Sequence, residues 1–162
     1  MKTLSPEQLY MHHDQLAALM VVLWIIFSCL GYKIQDLKHK QYISYSLIAF
    51  ALLQEILDYT NRVFLDEAYV LSLRTDLPLH FCQFGFYFSL FGVFVAASNR
   101  NINPKIEQFI FDCAYVLGLA GALQAMITVD LTGINNQIGI YALNWQHSLI
   151  ILNVLWLVFA YK

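Results

Sequence analysis

The chain has 162 residues, of which 59% are hydrophobic, 15% aromatic and 12% charged; soluble domains carry about 45–50% apolar and about 25% charged residues. So little charge cannot coat a soluble surface of this size, and with 7 Gly and 3 Pro the chain is neither collagen-like nor disordered. A formal net charge of −2 with no basic block argues against a nucleic-acid partner.

Apolar runs of about 17–25 residues can cross a bilayer as helices, and the sequence predicts five. The first runs from Gln15 to Tyr32, with a helix start foreshadowed by Ser5-Pro6-Glu7-Gln8, a capping-box pattern with Pro at the first helical position. Gly31-Tyr32-Lys33 follows without a small-x-small cleavage site, so this run is expected to be a span and not a signal peptide. The second runs from about Tyr42 to Phe64 and is apolar only in its first half. Leu77 to Asn99 is the third, about Ile106 to Val129 the fourth, and about Trp145 to Tyr161 the fifth. No repeat or low-complexity stretch divides residues 1–162, which are expected to form one all-α, multi-pass membrane domain. Lys33, Lys38, Lys40, Arg100, Lys105 and Lys162 fall on one side of this arrangement, and Lys2, Arg62 and Arg74 on the other. The positive-inside rule then predicts an extracytoplasmic N-terminus.

Ionisable groups within a span are costly and tend to mark function. In the second span Gln54, Glu55, Asp58, Asn61 and Arg62 share an arc of about 120°, the width of one helix face. An emerging helix end with an Asp58–Arg62 i,i+4 pair explains Arg62. It explains Glu55 poorly, because Glu55 lies about 13 Å before the end of the span. The third span opens Leu77-Pro78-Leu79-His80-Phe81-Cys82-Gln83. Cys82 falls on a small-residue face with Gly85, Ser89, Gly92 and Ala96, directed into the bundle; His80 and Gln83 point elsewhere. Cys82 reads either as a small buried hydrophobe or as a thiolate favoured by the helix N-terminus. The three cysteines, Cys29, Cys82 and Cys113, form no C-x-x-C, against disulfide exchange and against structural zinc. The fourth span carries a close-packing seam of Ala114, Gly118 and Ala122, beside a stripe through Gly121, Gln124, Ala125 and Thr128 that leads to Asp130. His147 opens the fifth span, and His13 lies near the start of the first helix; each also reads as a hydrogen-bonded structural histidine. The predicted orientation puts Glu55, Asp58, His80, Cys82, Gln124, Asp130 and His147 in one layer at the outer face, which predicts a polar pocket in the outer leaflet.

The Leu77-Pro-Leu-His-Phe-Cys82 opening resembles the LPLHxC signature of the YwaF-like integral membrane proteins, a family related to the transmembrane protein 164 phospholipid acyltransferases. Glu55 one helix earlier, the span ending Gly121-Ala-Leu-Gln-Ala-Met-Ile-Thr-Val-Asp130, Trp145-x-His147 and His13 are similar too. Val129 stands where that family usually has Pro, and the family usually continues with further spans, so the chain is expected to be short relative to it.

The resemblance implies a cysteine acyltransferase or acyl hydrolase acting on glycerophospholipids, with Cys82 as nucleophile. His80 lies about 200° from Cys82 on the same helix, so His147 is the better base, with Asp130 or Asp58 to orient it. A metal-dependent hydrolase using His80, His147 and a carboxylate from Glu55, Asp58 or Asp130 is a second reading. A non-enzymatic lipid or small-molecule binder is a third. The favoured reading requires no metal and no other cofactor; its partners are membrane lipids, and its location is the cell membrane if the chain is bacterial.

Overall fold

The computed structural model describes residues 4–66, 81–98, 102–134 and 136–162. Among these residues the chain forms five helices and no strand. Helix α1 (Pro6–Lys33) starts with the capping box: the Gln8 N–H donates to Ser5 Oγ at 3.3 Å and the Ser5 N–H to Gln8 Oε1 at 3.0 Å. Helix α2 (Leu37–Thr60) is capped by Asp36 and continues as a π-helical turn, Asn61–Leu65. Helix α3 is Phe81–Ser98. Helix α4 (Pro104–Ile127) is capped by Asn103 and contains a π-helical turn at Gly118–Ala122. Helix α5 (Gln137–Tyr161) is capped by Asn136, whose Oδ1 accepts the Gly139 N–H at 2.8 Å, and ends in a π-helical turn at Leu157–Tyr161.

Helices α1, α3, α4 and α5 are long and apolar enough to cross a membrane. Helix α2 matches them in length, but Lys38, Lys40, Glu55 and Asp58 make it more polar. The bundle surface is itself apolar: Ile25 is 60% exposed and Ile127 72%. In water such a surface would be unstable, and against acyl chains it is matched.

Helix α5 is the centre of the bundle, packed by α1, α2, α3 and the π turn of α4. Its polar side chains bond sideways. The Trp24 indole donates to Ser148 Oγ at 2.9 Å, and the Trp156 indole donates to Ser44 Oγ at 2.8 Å, with the Tyr161 hydroxyl 3.0 Å from that same oxygen. The small-residue seam is buried throughout: Ala114, Gly118 and Ala122 lie in the interior. A Cβ at Gly85 would lie 3.1 Å from the backbone N of Gly118 and 3.1 Å from the carbonyl carbon and oxygen of Leu117. Helices α3 and α4 therefore cross backbone on backbone, and this approach fixes where Cys82, three residues earlier, meets α4.

Candidate functional site

The polar face of α2 is directed inward. Gln54, Asp58 and Asn61 are buried and Glu55 is half-buried. Gln54 Nε2 donates to the Ala142 carbonyl at 3.1 Å, and the Arg62 guanidinium stands 2.8 Å from the Asp58 carboxylate. Glu55 reaches two other helices. Its Oε1 accepts from Gln83 Nε2 on α3 at 2.7 Å and its Oε2 from Gln146 Nε2 on α5 at 3.0 Å. Gln146 Nε2 also lies 3.1 Å from Gln83 Oε1.

Cys82 sits in the first described turn of α3 and is half-buried. It packs on the apolar cluster that holds Ala122 and Met126. A Cβ at Gly121 would stand 3.6 Å from the Cys82 backbone nitrogen, an ordinary contact. Beside the cysteine lies a groove of about 430 Å³, formed by Phe81, Cys82, Val116, Leu117, Ala120, Gly121, Gln124 and Ala125. Its volume suits part of a small amphiphile, and Gln124 is its one side-chain amide.

His147 is buried, and its Nδ1–H donates to the Leu143 carbonyl at 2.9 Å, which leaves the Nε2 lone pair as an acceptor. His13, also buried, donates from Nε2 to the Met126 carbonyl at 3.1 Å, and its Nδ1 has no hydrogen-bond partner among the described residues.

The contacts Gln83–Gln146 and Ser89–Asn153 advance together along both chains, so α3 and α5 run parallel. One step back from Gln83 leads to Cys82, and one step on from Gln146 leads to His147. On parallel facing helices these opposite turns point to the same side of the α3–α5 contact. That side faces α4, where Gly121 meets Cys82 and Met126 meets His13.

Some sequence expectations are corrected. Asp130 does not orient His147. It is exposed, its Oδ1 accepts the Thr132 N–H at 2.9 Å, and Gly133 completes the turn at φ 82°. The hydroxyl and N–H of Thr132 hold the Asp130 carboxyl below its ordinary value of 3.8. Asp58 does not orient His147 either, since its carboxylate is engaged by Arg62. The orienting group is the Leu143 carbonyl. Gln83, expected to point elsewhere than the bundle-directed small-residue face, is buried on Glu55. Gln146 was missed altogether; the signal was an amide in an apolar span beside His147. Among the described residues there is no group of three or more His, Cys, Asp and Glu side chains able to hold an ion; the metal set read from the sequence includes His80 and is not tested by this. His80, with Leu77, Pro78 and Leu79, lies outside the described residues.

A helical bundle with an apolar exterior, membrane-length helices and a polar cluster at one end defines a multi-pass integral membrane protein. More particularly, the chain belongs to the TMEM164 family, whose family model matches residues 3–162. No curated protein and no solved structure matches it.

Proposed function

We propose that this protein moves or hydrolyses acyl groups of glycerophospholipids, with Cys82 as nucleophile, as the resemblance of its LPLHFC segment to the YwaF-like proteins, and through them to the transmembrane protein 164 acyltransferases, implies. The observation that carries this reading is the position of Cys82, in the first described turn of α3 beside an apolar groove of about 430 Å³. The groove would take the acyl chain, and the first-turn N–H groups would hold the oxyanion that forms at the carbonyl. His147 Nε2 takes the thiol proton as the sulfur attacks the ester carbon; the tetrahedral intermediate then expels the lysolipid oxygen, which recovers that proton. The resulting Cys82 thioester passes its acyl group to a lysophospholipid hydroxyl, or to water in a hydrolase. His80 is the alternative base. The lysine and arginine placement supports an extracytoplasmic N-terminus and an outer-leaflet site.

The test is to incubate the protein in nanodiscs with a phospholipid carrying a labelled acyl chain. A hydroxylamine-labile adduct on Cys82, absent in Cys82→Ser, is expected by mass spectrometry, with the label later found on added lysophospholipid or as free fatty acid. Retention of lipid without adduct or turnover would leave a binding protein instead.

A further inference from the structure

The acyl-transfer reading uses Cys82 and His147 but assigns nothing to a polar ring that joins three helices beside them. Glu55, Gln83 and Gln146 close a ring across α2, α3 and α5, with contacts of 2.7, 3.0 and 3.1 Å. Gln83 directly follows Cys82, and Gln146 directly precedes His147. The ring thus clamps the two backbone positions that carry nucleophile and base, while those two side chains leave it toward α4.

A carboxylate is the group this ring needs. Three acceptor oxygens, two from Glu55 and one from Gln83, meet the amide hydrogens of Gln83 and Gln146. An amide at position 55 would supply one acceptor and turn an –NH₂ toward another –NH₂. Such a mismatch between apolar helices loosens the contact.

We infer that Glu55 is a positioning residue, which through Gln83 and Gln146 sets the separation between Cys82 and His147. The chemical consequence rests on the acyl-transfer reading; the geometric one does not. Two variants separate a ring from a mere charge. Glu55→Gln breaks the pattern. Glu55→Gln with Gln83→Glu moves the carboxylate to α3 and restores all three donor–acceptor matches, since the new amide on α2 and that of Gln146 then both donate to the carboxylate on α3.

The experiment uses the full chain in membranes with Cys29→Ala and Cys113→Ala. One readout is the alkylation rate of Cys82 by iodoacetamide. The other is cross-linking of Cys82 to His147→Cys by a short bifunctional thiosulfonate. Glu55→Gln should slow both by about tenfold or more, although loss of a negative charge alone would favour the thiolate and speed alkylation. The exchange variant should recover both to within about threefold. Gln146→Met, which cuts α5 from the ring while leaving Glu55 on Gln83, should slow cross-linking and covers the case in which Glu55→Gln does not fold. Unchanged cross-linking in Glu55→Gln or Gln146→Met, or no recovery in a monodisperse exchange variant, would overturn the inference. If Cys82 of the otherwise native chain is no more reactive than Cys29 and Cys113, the acyl-transfer reading falls while the cross-linking still decides the clamp.

Discussion

Replacing Gly85 by alanine tests the helix crossing that seats Cys82. The added Cβ would lie 3.1 Å from three backbone atoms, Gly118 N and the carbonyl C and O of Leu117. Optimal carbon contacts are about 3.5–4.0 Å, and backbone on both sides leaves no flexible side chain to yield. The helices must part by about half an ångström, an overpacking cost of about 1–3 kcal/mol. Alanine recovers about 0.5–1 kcal/mol through its greater helix propensity. The net loss therefore centres on about 1 kcal/mol, or a fall of roughly 2–4 °C in Tm for a chain of this size. Gly121→Ala is the internal control: its Cβ meets Cys82 at 3.6 Å, ordinary contact. It should leave Tm unchanged or slightly raised. Thermal loss of the monodisperse peak in detergent micelles measures both. Equal stability of Gly85→Ala and the native chain, or an equal fall in Gly121→Ala, would refute the close-crossing argument.

Trp156→Phe removes the donor to Ser44 Oγ at 2.8 Å and part of a fully buried ring. A loss of about 1–3 kcal/mol is expected, read as a lower Tm. The His39 side chain and backbone N–H hold the Asp36 carboxyl below its ordinary 3.8. A depressed folded value means that this stabilisation is present above the ordinary carboxylate range and lost as pH falls through the lower folded one. The Tm difference between the native chain and Asp36→Ala should accordingly shrink on acidification, and a constant difference would count against the cap. Ala120→Leu fills the groove beside Cys82; labelling by a long-chain acyl probe should fall about tenfold, which is about 1.4 kcal/mol, while labelling by iodoacetamide should not change.

Much of the architecture was legible because bilayer length and apolarity are one-dimensional properties. The runs around residues 15–32, 77–99, 106–129 and 145–161 become helices over most of their described residues, the fourth ending at Ile127, and the glycine and alanine seam of α4 packs as its spacing implies. The second run does form a helix, but its polar half keeps it short of the apolarity of the other four. The side-chain partners were harder to read. A helical wheel gives a direction and no partner, so it grouped Glu55 with Asp58 on one face, although Glu55 bonds to α3 and α5 and Asp58 to Arg62. Depth along a span placed Asp130 beside His147, but Asp130 lies past the end of α4, where a local turn with Thr132 outcompetes any long-range contact. The π-helical turns at 61–65, 118–122 and 157–161 insert extra residues that shift the phase of each helix, which a fixed period does not register. Gln83 and Gln146 became meaningful only when three helices brought them to one carboxylate.

The central claim is that Cys82 is an activated thiol served by His147. It is tested most directly by the alkylation rates of Cys82, Cys29 and Cys113 in membranes across pH, with His147→Ala alongside. The account predicts that Cys82 labels near neutral pH far faster than the other two, and that this advantage falls at least about tenfold without His147. Equal rates at all three cysteines, or a fast Cys82 indifferent to His147, would contradict it.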